Sequence, residues 1–84
     1  MDDSISRQVI SLPYLGAIAL NISDAFRRRD VKVWAEDSPF FKGKMAIVAY
    51  VDNVGACTTI DNQWVSEANI SALLVALIKE KMNG

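Results

Sequence analysis

Few residues in this chain can do chemistry. It contains no histidine and one cysteine, Cys57, so it lacks the usual general base, the commonest metal ligand and the usual partner of a nucleophilic thiol. The adjacent acids Asp2 with Asp3, and Glu36 with Asp37, point apart on an extended backbone and do not form an acid–base couple. We therefore expect a protein that is not an enzyme and holds no cofactor or metal ion.

A second chemical signal is a concentration of positive charge. Six of the nine basic residues, but only three of the ten acidic ones, fall within residues 27–44. Aromatic side chains are interleaved with these bases, and surfaces of this kind stack nucleic-acid bases while holding phosphates. The candidate anion-binding residues are Arg27, Arg28, Arg29, Lys32, Trp34, Phe40, Phe41, Lys42 and Lys44. Because the net charge is −1, long-range attraction to nucleic acid is weak, and an acidic protein would fit these bases as well.

The first element that must position these residues is a helix over about residues 12–29. Its apolar stripe consists of Leu15, Ile18, Ile22, Ala25 and Phe26. Pro13 either kinks a longer helix that starts near Ser4, or lies in the first turn of a new helix capped by Ser11. The three arginines are expected to close the helix, where positive charge complements the helix dipole.

Three strands are expected next. Residues 31–36 alternate between apolar and polar side chains, which indicates a half-buried strand. Residues 45–51 are apolar at every position, which is typical of a central strand covered on both faces. Residues 52–55 predict a hairpin turn whose asparagine and glycine tolerate positive φ, and a third strand over residues 56–61 returns antiparallel.

The final helix, over residues 66–83 with Ser66 as its cap, is unusually apolar. From Ile70 to Ile78 only Ser71 interrupts a run of apolar residues. A helix with one exposed face should show polar residues at every third or fourth position. This helix therefore needs cover on more than one side.

These elements predict a single small α+β domain over residues 1–84, with two helices packed on a three-stranded antiparallel sheet in the order α-β-β-β-α. If both helices cover the same face, the other face of the sheet stays bare. The residues exposed there would be either Ala46, Val48 and Tyr50, or Met45, Ile47, Ala49 and Val51. Neither set is polar, and a contiguous apolar surface usually marks an interface.

The leading hypothesis is a non-enzymatic protein–protein interaction module, such as an adaptor, an inhibitor or a structural subunit. We expect a homodimer that forms through the final helix or the open face of the sheet. The candidate partner-binding residues are Ile70, Leu73, Leu74, Leu77 and Ile78 on one side of the helix, with Ala72, Val75 and Ala76 on a side of smaller residues. The alternatives are a monomer whose own N-terminal segment wraps the helix, and a nucleic-acid-binding protein that uses residues 27–44.

We expect this protein in the cytoplasm and not in a membrane. The apolar stretch over residues 9–22 follows Asp2 and Asp3, whereas a signal peptide carries positive charge there. Polar residues and Pro13 interrupt the stretch, which is shorter than the roughly 20 residues of a membrane span. A single cysteine cannot form an internal disulfide, which favours a reducing compartment.

Overall fold

The computed structural model describes residues 10–27, 29–60 and 65–83. The elements are α1 (Leu12–Ala25), β1 (Val31–Asp37), β2 (Met45–Val51), β3 (Val54–Ile60) and α2 (Glu67–Asn83). The strands form one antiparallel sheet in the order β1-β2-β3, and both helices contribute to a core on one face of it. The predicted α+β class and the order α-β-β-β-α are therefore confirmed.

Helix α1 begins where a serine and a proline predict a helix start. Ser11 is the N-cap, and its hydroxyl accepts a hydrogen bond from the Tyr14 N–H at 3.3 Å. Pro13 lies in the first turn, where its missing N–H leaves no helical hydrogen bond unmade. The other alternative, a kink in a longer helix, involves residues 4–9, which lie outside the described residues.

The end of α1 corrects the prediction. The helix stops at Ala25 rather than near residue 29, because the chain turns at Phe26 and Arg27. Arg27 adopts a left-handed conformation with φ of 59° and donates its N–H to the Asp24 carbonyl. Arg27 and Arg29 therefore follow the helix instead of closing it, and the last turn of α1 contains no basic residue.

The sheet presents two different faces. Ile47, Ala49 and Val51 of β2 join the buried core beneath the helices, together with Ala56 and Ile60 of β3. Strand alternation places the remaining side chains on the opposite face, which we call the open face. It consists of Lys32, Trp34 and Glu36 from β1, Ala46, Val48 and Tyr50 from β2, and Gly55, Cys57 and Thr59 from β3.

The β2–β3 hairpin also corrects the prediction. Its turn contains only Asp52 and Asn53, so β3 begins at Val54 rather than at Ala56. Asp52, not the glycine, carries the positive φ of 56°. Gly55 lies within β3 opposite Tyr50, where its small size has a different use. The predicted last residue of this strand, residue 61, lies outside the described residues.

The two helices run in the same direction across the sheet. Near their starts the Tyr14 hydroxyl donates to the Val65 carbonyl at 2.8 Å, and near their ends the Lys79 ammonium lies 5.9 Å from the Phe26 ring centre. Between these points the Asn21 side chain donates to the hydroxyl of buried Ser71 at 3.1 Å. The one polar residue in the apolar run of α2 is thus satisfied inside the helix–helix contact.

Candidate protein-interaction surface

Helix α2 uses much of its apolar surface within its own chain. Ile70, Leu74 and Ile78 are buried core residues, and half-buried Val75 and Leu77 pack against that core. Of the candidate partner-binding residues, three remain exposed, namely Ala72, Leu73 and Ala76. Leu73 is 45% exposed and is the large side chain among them. The helix is thus a core element that keeps a narrow outer surface.

Part of the open face of the sheet is covered by side chains of the same chain. Ala46 and Val48 belong to this face by alternation, yet Ala46 is fully buried and Val48 is 9% exposed. The hydroxyls of Ser38 and Thr59 lie 2.7 Å apart, so their hydrogen bond crosses β2, and Thr59 is paired with Ala46. The aliphatic side chains of this face are therefore covered without a partner, although the sequence predicted that they would be bare.

Two aromatic rings form the outer surface of the open face. Trp34 and Tyr50 stack with their ring centroids 5.6 Å apart and their planes within 5° of parallel. The two side chains are 38% and 39% exposed. The Trp34 indole N–H donates to the Glu36 carboxylate at 2.8 Å, which fixes the orientation of the indole ring. We call this pair the aromatic stack.

Gly55 makes room for the aromatic stack. A Cβ atom on Gly55 would lie 2.5 Å from Cζ of the Tyr50 ring, far inside van der Waals contact. The ring can therefore lie flat over the β3 backbone because residue 55 has no side chain. Sequence reasoning assigned Gly55 to a turn and missed this role. A two-residue turn would have revealed it, because it places Gly55 directly opposite Tyr50.

Beside the aromatic stack lies a shallow depression of about 270 Å³. Its lining includes Glu36, Tyr50, Cys57 and Lys81. The Lys81 ammonium donates to the Gly55 carbonyl at 2.6 Å, and Cys57 is half-buried with a free thiol. Within the described residues, no group of three or more histidine, cysteine or acidic side chains is placed to hold a metal ion.

The basic segment divides into parts rather than forming one patch. Arg27 and Arg29 precede β1, whereas Lys42 and Lys44 follow it, and a seven-residue strand spans roughly 20 Å between them. Arg29 lies 3.7 Å from the Asp52 carboxylate, with both side chains about half exposed. Lys32 lies on the open face opposite Tyr50, and Arg28 lies outside the described residues. The basic residues that the structure describes therefore do not form one continuous cationic groove.

Phe40 and Phe41 lie in the loop between β1 and β2 and point away from the core. They are 69% and 57% exposed. The Ser38 hydroxyl accepts hydrogen bonds from both of their backbone N–H groups at 3.1 Å, and Gly43 supplies a positive φ of 82° near the end of the loop. The loop is therefore an ordered apolar tip, at the opposite end of β2 from Tyr50.

No helix among the described residues is both long and apolar enough to cross a membrane. Comparisons with models of protein families, with curated proteins and with solved structures find nothing that matches this chain.

Proposed function

We propose that this protein is a non-enzymatic protein–protein interaction module that self-associates as a homodimer through the open face of its sheet. The single observation that carries the proposal is the aromatic stack, two large rings held flat on a face that neither helix covers. The half-buried, free Cys57 is compatible with a cytoplasmic location, which forms part of the proposal.

The physical support is the nature of the exposed rings. Tryptophan and tyrosine are enriched among residues that dominate binding energy, because each buries about 150–250 Å² and loses few rotatable bonds. Here the rings are already fixed by stacking and by the Trp34–Glu36 hydrogen bond. Pre-ordered side chains lose less entropy when a partner covers them.

The open face has stronger support than the outer side of α2. The exposed residues of α2 named above are two alanines and Leu73, which offer little area for a partner. Whether the module serves as an adaptor, an inhibitor or a structural subunit depends on a further partner. Nucleic-acid binding by residues 27–44 is the alternative, but the separation of the arginines from the loop lysines reduces its support.

Sedimentation velocity over a range of protein concentrations tests the proposal. We expect the wild-type chain to dimerise, W34A and Y50A to weaken the dimer, and L73A to leave it unchanged. Circular dichroism should show that all variants fold. A wild-type chain that stays monomeric at every concentration would remove self-association, and a dimer sensitive only to L73A would move the interface to α2.

A further inference from the structure

Strand β1 forms one edge of the sheet, and its hydrogen-bonding pattern fixes which backbone groups face outward. Just beyond its two ends, the Asp52 N–H donates to the Asp30 carbonyl at 2.9 Å and the Ser38 N–H donates to the Lys44 carbonyl at 2.8 Å. Antiparallel pairs alternate between bonded and non-bonded positions. Even-numbered residues therefore bond to β2, and the N–H and C=O groups of Val33 and Ala35 point out of the sheet.

Among the residues that the structure describes, side-chain protection is seen at the opposite edge of the sheet and not along residues 31–36 of β1. On β3 the Lys81 ammonium caps the outward Gly55 carbonyl, a common means of blocking an exposed strand edge. From residue 31 to residue 36, no comparable side-chain contact from the described part of the chain reaches the outer edge of β1. An unprotected edge strand is a template for another strand.

We propose that a second copy of this chain pairs antiparallel with β1, with the two-fold axis at Trp34, to form a continuous six-stranded sheet. This inference rests on the proposed self-association and places the contact at the β1 border of the open face, where Trp34 lies, rather than across the whole face. The outward N–H and C=O groups of Val33 would form hydrogen bonds with those of Ala35 of the second copy. By symmetry, Ala35 would bond in the same way to Val33 of the second copy.

Charge complementarity selects this register. With the axis at Trp34, Lys32 lies opposite Glu36 of the second copy, and symmetry repeats this pair on the other side. Moving the axis to Val33 places Lys32 opposite tryptophan, and moving it to residue 32 places lysine opposite lysine. Directly opposed opposite charges stabilise a strand pair and like charges destabilise it, so the register centred on Trp34 is favoured.

Helix α1 leaves room for the second copy. Paired strands lie about 4.8 Å apart, whereas a helix is about 10 Å wide, so α1 must be narrow on its outer side. Asn21 faces α2, and Gly16, Ala19 and Ser23 lie nearly opposite it by helical spacing. A Cβ atom added to Gly16 would meet nothing within 4 Å. Leu12, which is 81% exposed, lies on the same side at the first residue of the helix, and beyond it this outer side of α1 carries small residues.

This register also places the exposed Trp34 rings at the centre of the dimer. The two Trp34 side chains would meet at the axis in a non-hydrogen-bonded pair, where Cα atoms are about 4.5 Å apart. Each indole is already stacked on the Tyr50 of its own chain. One continuous aromatic strip would then cross the centre of the six-stranded sheet.

Charge reversal tests the register on the full chain. We expect K32E and E36K each to weaken the homodimer about tenfold by sedimentation equilibrium, because each opposes like charges twice. The double variant K32E/E36K should restore dimerisation, and a mixture of the two single variants should form a heterodimer. The matched control is K79E and E80K on α2, which make the same changes in net charge and should leave the dimer unchanged.

A cross-link provides a second readout. In a C57S background, a mixture of K32C and E36C chains should form an intermolecular disulfide upon oxidation, because residues 32 and 36 of the two copies would be directly opposed at a Cα separation that fits disulfide geometry. Both variants keep Trp34. If the wild-type chain dimerises but neither charge reversal weakens the dimer, or if the K32C and E36C chains form no mixed disulfide, this inference is overturned and self-association still stands. A monomeric wild-type chain would overturn both.

Discussion

At the scale of single residues, Gly55 determines the arrangement of the open face. We predict that G55A displaces the Tyr50 ring, because the new Cβ would lie 2.5 Å from that ring. The free energy of unfolding should change by less than about 1 kcal/mol. Alanine is more favourable than glycine within a strand, and this gain is similar in size to the stacking energy that is lost. Near-ultraviolet circular dichroism should show the loss of the aromatic stack.

The matched control for this substitution is G16A. Its Cβ would meet no atom within 4 Å, and Gly16 lies inside α1. We expect G16A to stabilise the fold by about 0.5–1 kcal/mol in urea unfolding without changing the near-ultraviolet spectrum. If G55A kept the wild-type aromatic spectrum, the proposed role of Gly55 would be wrong.

Tyr14 gives a prediction about pH. Burial, and then the negative charge of Glu67, raise the pKa of the Tyr14 phenol above its ordinary value of about 10. A phenol that is harder to ionise in the folded state contributes stability that is present below pH of about 10 and is lost as the pH rises through the folded-state pKa. The buried phenol also donates a hydrogen bond to Val65.

We predict that Y14F lowers the free energy of unfolding by about 0.5–1.5 kcal/mol at neutral pH, because it removes that hydrogen bond. The difference between Y14F and wild type should narrow as the pH rises above about 10. Urea unfolding at neutral and alkaline pH measures both quantities. A difference that stayed constant or widened would contradict the assignment.

At the scale of the elements, α2 serves the core first. We predict that L74A lowers the free energy of unfolding by about 2–5 kcal/mol, because Leu74 is fully buried. The neighbouring L73A removes the same atoms from an exposed position and should change stability by less than about 0.5 kcal/mol. Chemical denaturation of both variants checks this, and equal effects would contradict the assignment of the two sides.

The sequence predicted these elements well where periodicity was strong, and less well where chain reversal decided the outcome. The alternation in β1 and the apolar run of β2 correctly predicted a half-buried strand beside a central one. The end of α1 was wrong because three arginines suit a helix terminus electrostatically, yet the chain must turn at Phe26 and Arg27 to enter β1. The preference of individual residues for a helix end does not indicate where the chain must turn to reach the next strand.

The arrangement of the open face, the candidate site, could also be predicted only in part from the sequence. The sequence correctly placed Trp34 and Tyr50 on sheet elements, but their stacking depends on the register between β1 and β2. The room for the Tyr50 ring depends on the β2–β3 turn, which contains two residues instead of the predicted four and so places Gly55 opposite Tyr50. The burial of Ala46 depends on a hydrogen bond between two residues far apart in the chain. Such cross-strand contacts cannot be read from composition or period.

At the scale of the whole molecule, the separation of basic residues argues against a nucleic-acid ligand. We expect no retention on single- or double-stranded nucleic acid, whether at about 50 or at about 200 mM salt. Binding that fell steeply over this range and vanished in the variant R27A/R28A/R29A would instead favour the alternative function. Fluorescence anisotropy with labelled oligonucleotides makes this measurement.

The central claim is that two copies of this chain join their sheets at β1, and amide hydrogen exchange followed by NMR tests it most directly. The amides of Lys32, Trp34 and Glu36 bond to β2 within one chain and should be protected at every protein concentration. The amides of Val33 and Ala35 face outward, so we predict that their protection rises with concentration as dimers form. If these two amides exchange rapidly at concentrations where the chain is dimeric, the claim is contradicted.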